Sequence, residues 1–149
     1  PCEVGAFARQ VVDGHPLARA LLPGGVLARV AGRLLELART QILMEDLAAA
    51  IDPAATFLTR ADIPARATGM GLVEAARGAL GHWLTVEGGR IANYQIIAPT
   101  TWNFSPRDAG GRPGPLEQAL QGLVIDGPDS LMVQHVVRSF DPCMVCTVH

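Results

Sequence analysis

The chain ends in side chains that bind metals, because Cys143, Cys146 and His149 follow one another at a spacing of three residues. Asp141 is a good helix N-cap and Pro142 a good first helical residue, so we expect the two cysteines in the first turns of a helix. Residues three apart share a helix face, and the helix dipole there stabilises a thiolate over a thiol. The spacing therefore predicts a metal site, with a redox pair as the alternative.

Several interpretations of this C-terminal motif remain open on the residues alone. A closed structural zinc site needs four ligands, and the motif supplies three with no second cluster near it. A thioredoxin-like dithiol normally opens a helix inside a βαβ unit, whereas this motif stands at the end of the chain. Two buried cysteines without any ligand are a third interpretation. The best fit is a metal site that another stretch of chain completes.

The composition excludes several classes of protein. The chain has 149 residues, 49% hydrophobic and 17% charged, so a free-standing domain of this size would leave many apolar side chains facing water. The net charge is −2 and the basic residues, all arginine, are scattered, which argues against a nucleic-acid binder. No stretch approaches the ~20 apolar residues of a membrane-spanning helix. The three cysteines are too few for a disulfide framework. We expect the chain to bury surface against other protein.

The elements that must hold the motif are mostly helical. Apolar positions between Val26 and Ile51 follow the i, i+3, i+4, i+7 pattern of a long packing helix. Gly88 and Gly89 separate two β-prone runs and predict a tight hairpin. The predicted strands are residues 79–86 and 90–98, followed by a polar loop over 100–115 and short helices over 115–123 and 130–140. The sequence therefore predicts a mainly α fold with a small antiparallel β-hairpin (α+β) and no internal domain boundary.

Three segments carry a specific combination of motifs: EAARGALGHW at residues 74–83, IANYQIIAPTTWNFSPRD at 91–108 and DPCMVCTVH at 141–149. Together with the EVG of residues 3–5, they resemble the large subunit of nickel-iron hydrogenases. The C-terminal portion of that subunit carries EVGPLAR, EAPRG, PTTWN and DPCxxCxxH. The family's Cys-Gly-x-Cys motif is absent, and Cys2 lacks the spacing to replace it. The resemblance implies that residues 1–149 are the C-terminal part of a larger, helix-rich large-subunit fold, without the N-terminal part that holds the other cysteine pair.

The resemblance also implies a nickel-iron centre held by the C-terminal motif. Cys143 would be a terminal nickel ligand and Cys146 a thiolate that bridges nickel and iron, with two more thiolates from the absent part. Soft thiolates suit nickel. The iron in this family carries carbon monoxide and cyanide, and Arg77 and the Thr100 hydroxyl would donate hydrogen bonds to the cyanides.

Three further positions follow from the same resemblance. His149 and the backbone carbonyl of Ile96 would coordinate a magnesium ion, or a metal in its place, together with a carboxylate from the absent part. Ala76 stands where the family has proline, which leaves a backbone amide free to donate beside the pocket.

Arg77 and Asp141 would face each other near the metals. On the residue types alone, Arg77 is equally well an ordinary ion-pair partner of Glu74 or Asp141. The implied reaction is heterolytic cleavage of dihydrogen, with the Cys143 thiolate as the first proton acceptor because arginine is very hard to deprotonate. Arg77 and Asp141 would then act as electrostatic positioning groups.

The implied partners are the rest of the same subunit and a small subunit whose iron-sulfur clusters take the electrons. Dihydrogen is the implied substrate, and a hydrogen sensor with the same metal site and low turnover is the alternative within the family. A structural zinc module of Cys143, Cys146 and His149 is the alternative from another class. We expect a cytoplasmic location, with any membrane association made through partner proteins.

Overall fold

The computed structural model describes residues 1–125, 127 and 130–143, and these form six helices and one antiparallel sheet. The helices are α1 Ala6–Val12, α2 Pro16–Ala20, α3 Val26–Ala50, α4 Pro99–Asn103, α5 Pro115–Leu120 and α6 Leu131–Ser139. The strands are β1 Arg66–Ala75, β2 Gly78–Glu87 and β3 Arg90–Ile97. The predicted class, mainly α with an antiparallel β element, is confirmed. In this described part of the chain, no helix has the length and apolarity that crossing a membrane requires.

The long predicted helix is confirmed as α3, and α1 packs closely on its first half. This close approach depends on Gly32, because a Cβ there would lie 2.6 Å from the Cα of Phe7. Phe7 forms a small core with Ala18 and Ala28. The N-terminal helices therefore hold their positions through a contact between backbones at Gly32.

Large apolar side chains remain exposed on α3 and on the sheet. On α3 they include Leu34, Leu37, Ile42, Leu43, Met44 and Leu47, and on the sheet Met70, Leu72, Val73, Ile91 and Ile96. Exposed apolar surface of this extent is typical of protein contact sites. The distribution agrees with the expectation that this chain buries surface against other protein.

The predicted hairpin is confirmed as β2 and β3, and it belongs to a three-stranded sheet in the order β1-β2-β3. Gly88 and Gly89 both have positive φ in the turn between β2 and β3. β1 pairs with β2 along its whole length, although no strand is predicted there. Gly69 and Gly71 interrupt the apolar pattern of β1, which hides a strand from pattern reading.

The turn between β1 and β2 consists of Ala76 and Arg77, and it packs against the N-terminal segment. Gly78 follows with a φ of 135°, a backbone conformation that other residues rarely adopt. A Cβ at Gly78 would lie 2.7 Å from Cγ2 of Val4 and 2.9 Å from the backbone nitrogen of Gly5. The EAARG motif therefore places Arg77 on a tight turn that only glycine can close.

Replacing Gly78 by alanine is expected to lower the free energy of unfolding by about 2 kcal/mol, because a positive φ alone costs about 1–2 kcal/mol and the new methyl group meets Val4. Denaturant unfolding of the protein that carries this chain measures the effect. Gly71→Ala is the matched control, since nothing lies within 4 Å of its Cβ position. Equal unfolding free energies for the two variants would contradict this account of the turn.

Residues 99–103 form the short helix α4, so the polar loop predicted over residues 100–115 is wrong over residues 100–103. Pro99 occupies the first turn, where its fixed φ suits a helix. The Asn103 side chain exchanges two hydrogen bonds of 2.9 Å with the backbone of Val4, donating through Nδ2 and accepting through Oδ1. Local sequence does not predict α4 because this partner lies at the other end of the chain.

α5 and α6 confirm the two short predicted helices: α5 begins at the predicted residue and ends three residues early, and α6 lies one residue inside the predicted bounds at each end. The helix predicted from Pro142 onward does not begin there, since residues 141–143 have no regular secondary structure. Asp141 has a φ of 51° rather than the extended backbone of an N-cap, because it ends α6 instead: its amide donates to the carbonyl of Arg138 at 3.0 Å. The rest of that predicted helix, residues 144–149, lies outside the described residues.

Candidate functional site

Arg77 and Asp141 come together from the β1–β2 turn and the end of α6. Arg77 Nε lies 3.4 Å from Asp141 Oδ2, and the two side chains are 46% and 44% exposed. Glu74, the other candidate partner of Arg77, pairs with Arg9 instead at 2.8 Å. The structure thus selects Asp141 from the two carboxylates that the residue types leave open.

Two arginines of α3 hold the end of α6. Arg29 donates to Oγ of Ser139 at 3.1 Å, and Arg33 donates to the carbonyl of Ser139 at 2.7 Å. The Arg29 guanidinium also lies 3.7 Å from the ring centroid of Phe140 and pairs with Glu3 at 2.8 Å. These buried and partly buried contacts fix the point at which the chain leaves α6 toward the C-terminal motif.

Arginines also line the small cavity beside Asp141. This cavity has a volume of about 20 Å³, enough for one water molecule, and its lining includes Arg29, Arg33, Arg77 and Asp141. The cavity therefore brings one carboxylate and three guanidinium groups together where α6 ends beside the β1–β2 turn.

The Thr100 hydroxyl oxygen accepts a hydrogen bond of 3.0 Å from the backbone amide of Cys143. Thr100 lies in α4 and is 8% exposed, and Cys143 is half-buried. A hydroxyl that accepts one hydrogen bond keeps its own proton to donate, so Thr100 has a donor for a ligand beside Cys143. This contact brings the PTTWN and DPC motifs into one site.

Arg9 supports the site from α1, and no sequence argument singled it out. Its Nε donates to Glu36 at 2.7 Å, and its Nη2 contacts the same carboxylate. Its Nη1 donates to Glu74 at 2.8 Å and to the Ala75 carbonyl at 2.9 Å. Its Nη2 also donates to the Ala76 carbonyl at 3.2 Å. Hydrogen bonding to Glu36 raises the pKa of Arg9 above its ordinary value, despite the opposing effect of burial. Its place in the segment that resembles EVGPLAR is the one signal that points to it.

The structure describes two of the remaining predicted site residues and does not describe the other two. Ala76 lies in the β1–β2 turn beside Arg77, and Ile96 lies in β3, opposite His82. The metal ligands predicted at residues 146 and 149 lie outside the described residues, so the magnesium site stays a prediction. Within residues 1–125, 127 and 130–143, no group of three or more His, Cys, Asp or Glu side chains is arranged to hold a metal ion.

The contacts combine three kinds of chemical group in one place. Cys143 follows two residues after Asp141, the partner of Arg77, and its amide contacts Thr100. A cysteine thiolate binds soft metals, and guanidinium and hydroxyl groups donate to anionic ligands. The arrangement therefore suits a thiolate-bound metal that carries anionic ligands.

Comparison with known sequences gives a consistent family. The nickel-dependent hydrogenase family model matches residues 5–149. The chain is 36% identical to the large subunit of the periplasmic [NiFeSe] hydrogenase of Desulfomicrobium baculatum, over 100% of this chain and 33% of that protein. It is 38% identical to the hydrogenase-2 large chain of Escherichia coli, over 94% of this chain and 26% of that one. An uptake hydrogenase large subunit of Rhodobacter capsulatus is 46% identical over 58% of this chain and 15% of its own length. The chain thus spans about a third or less of these relatives.

Comparison with solved structures points to the same family as the comparison with sequences. The reduced, active form of the Ni-Fe-Se hydrogenase from Desulfomicrobium baculatum superposes with a TM-score of 0.87 at 35% identity, over 100% of this chain and 35% of that one. The reduced Ni-Fe-Se hydrogenase of D. vulgaris Hildenborough superposes with a TM-score of 0.83 at 31% identity, over 99% of this chain and 35% of that one. The described fold is therefore a part of a larger fold shared with these proteins.

Proposed function

The chain belongs to the nickel-dependent hydrogenase family, and we propose that it supplies one side of a nickel-iron centre that oxidises dihydrogen in a hydrogenase large subunit. One observation carries this proposal furthest: Arg77 pairs with Asp141, and Cys143, two residues later, is hydrogen-bonded to Thr100. These four residues come from three separate segments, and those segments are the three that carry the resemblance.

The residues present fit such a centre. Cys143 is half-buried, its backbone amide is hydrogen-bonded to the Thr100 hydroxyl, and it follows two residues after Asp141, the partner of Arg77. A thiol, a hydroxyl and a guanidinium from these residues suit a soft metal with anionic ligands. Cys143 and Cys146 would hold the centre from this chain, and two further thiolates would come from another part of the large subunit. When bound, the centre supplies the heterolytic cleavage of dihydrogen.

Hydrogen-bond donors of this chain hold the cyanide ligands of iron in the proposed site. The Asp141 carboxylate lies nearest to Nε of Arg77, which leaves the Nη groups to donate. Thr100 donates through the proton that its contact with Cys143 leaves available. The amide of Ala76 is the third proposed donor, because alanine keeps the N–H that proline lacks.

The Cys143 thiolate would be the first acceptor of the proton from dihydrogen. Arginine is very hard to deprotonate in proteins, so Arg77 stays charged and acts electrostatically. Its pairing with Asp141 fixes the orientation of the guanidinium before substrate arrives, and such preorganised charges are a large contribution to catalysis.

Two further parts of the proposal concern groups beyond the described contacts. The carbonyl of Ile96 and the side chain of His149 hold a magnesium ion, or another divalent metal in its place, with a carboxylate from elsewhere in the subunit. Electrons leave to iron-sulfur clusters in a small subunit, a partner that the names of the relatives as large subunits support.

Turnover with an artificial electron acceptor tests the proposed function. The protein that carries this chain is expected to contain nickel and iron and to reduce the acceptor rapidly under dihydrogen. A very low rate at full nickel content would favour a hydrogen sensor over an uptake enzyme. Zinc without nickel and iron would overturn the proposal in favour of a structural zinc module.

Replacing Thr100 by valine is expected to weaken both the site and the fold. Valine has nearly the same shape but leaves the Cys143 amide without its acceptor, which costs about 1–3 kcal/mol of unfolding free energy. It also removes the donor to cyanide, so the infrared cyanide stretches shift. Thr100→Ser keeps the hydroxyl and is the control, expected to match the wild type in both measurements. Unshifted cyanide bands in nickel-loaded Thr100→Val would contradict the donor role.

A further inference from the structure

We propose that Arg9 is a positioning residue for Arg77: it holds the backbone of the β1–β2 turn so that the Arg77 side chain starts from a fixed place. This inference rests on the proposed function, because it concerns a residue whose role is defined by the nickel-iron centre. Arg9 itself touches none of the reacting groups in the proposal.

The hydrogen bonds of Arg9 carry the argument. A guanidinium has five N–H donors in a rigid fork, and the contacts of Arg9 use them all. Two donors go to Glu36 on α3 and one goes to Glu74 on β1. The remaining two go to the carbonyls of Ala75 and Ala76, at 2.9 and 3.2 Å. These two carbonyls belong to the residues that directly precede Arg77. Their positions therefore fix the backbone from which the Arg77 side chain extends.

Burial and charge make these contacts stronger than ordinary surface ion pairs. The Arg9 side chain is 19% exposed and the Glu36 side chain 25% exposed. Two carboxylates surround a single guanidinium, and hydrogen bonds to Glu36 are the main reason that the pKa of Arg9 is raised. A charged hydrogen bond of low exposure holds its geometry better than an exposed pair, which water and salt weaken.

The packing of α1 on α3 fixes the backbone position of Arg9. Gly32 lets the backbone of Phe7 approach α3 directly, and Arg9 follows two residues later. Glu36 stands four residues after Gly32 and so lies on the same face of α3. The α1–α3 contact and the Arg9 hydrogen bonds therefore form one rigid connection from the helices to the turn.

Arg9→Lys tests this proposal. Lysine keeps the charge but has three donors on a flexible stem and no planar fork, so it cannot reach both carbonyls and both carboxylates together. We expect the turnover number for dihydrogen oxidation to fall about 10- to 100-fold, the cost of a small misplacement in an active site. Nickel content stays at the wild-type level. The infrared cyanide stretches shift, and amide hydrogen exchange across residues 75–78 becomes faster.

The matched control is Arg39→Lys. Arg39 also bridges α3 and the region of α1, donating to Gln10 at 2.5 Å and pairing with Asp13 at 2.6 Å, and both of these contacts lie outside residues 74–78. We expect this variant to match the wild type in turnover, infrared bands and exchange. Equal losses in the two variants would assign the effect to general loosening of α1 from α3 and would overturn the proposal.

Other outcomes separate this inference from the proposed function. Wild-type turnover and wild-type exchange in Arg9→Lys would refute the positioning role while leaving the function intact. Absence of nickel from the wild type would refute the function, and the exchange measurement, which needs no metal, still tests whether Arg9 holds the turn. If Arg9→Lys does not fold, Glu74→Gln replaces it: this variant keeps the Arg9–Glu36 pair and is expected to give a smaller change in the same direction. No change in Glu74→Gln would then count against the proposal.

Discussion

Arg77→Lys is expected to reduce dihydrogen oxidation by about 10²- to 10³-fold while the protein keeps its nickel, the range seen when one preorganised donor is removed from an active site. Lysine retains the positive charge but lacks the planar fork, so it cannot face Asp141 and donate to a ligand in the geometry of arginine. Turnover with an artificial acceptor and nickel content, measured on the same sample, check the prediction.

The control for this variant is Arg90→Lys, which makes the same chemical change at an exposed position at the start of β3. It is expected to retain wild-type turnover and nickel. Full dihydrogen oxidation by nickel-loaded Arg77→Lys would rule out the electrostatic role given to Arg77.

Cys143→Ser is expected to abolish both nickel binding and dihydrogen oxidation. A serine hydroxyl stays protonated near neutral pH and offers a hard oxygen, whereas nickel in this kind of site is held by soft thiolates. The backbone amide of residue 143 keeps its bond to Thr100, so the substitution leaves that local structure in place. Elemental analysis and turnover measure the two losses.

Cys2→Ser is the matched control because Cys2 is exposed and has no role in the proposed site. Wild-type nickel content and turnover are expected for it. A Cys143→Ser variant that retains stoichiometric nickel and its activity would show that this cysteine is not the ligand, and the assignment of the C-terminal motif would fail with it.

Local sequence patterns predicted the elements whose stability is local. The helix from Val26 and the β2–β3 hairpin were predictable because an apolar stripe and a glycine turn are short-range features. β1 was not, since Gly69 and Gly71 break its pattern and its stability comes from pairing with β2. α4 was missed for a related reason: Asn103 depends on the backbone of Val4, at the far end of the chain.

One part of the candidate site could likewise be predicted from the sequence, and another part could not. Residue types alone left Arg77 between Glu74 and Asp141, the resemblance implied Asp141, and the structure pairs Arg77 with Asp141. Arg9 was not singled out because by residue type it looks like any other arginine of this chain, and its place in the segment that resembles EVGPLAR was its one signal. Its contacts with the β1–β2 turn become visible only in the folded structure, where Glu36 and the turn carbonyls lie around its guanidinium.

Isotope exchange under deuterium gas is the most direct test of the central claim that these residues line a centre for heterolytic cleavage of dihydrogen. The purified protein, its nickel content known, is kept in ordinary water under D₂ with no electron acceptor, and the gas phase is followed by mass spectrometry. Heterolytic cleavage exchanges the deuteron with solvent protons, so the account predicts steady formation of HD, and Cys143→Ser is expected to form none. A nickel-loaded wild-type protein that produces no HD would contradict it.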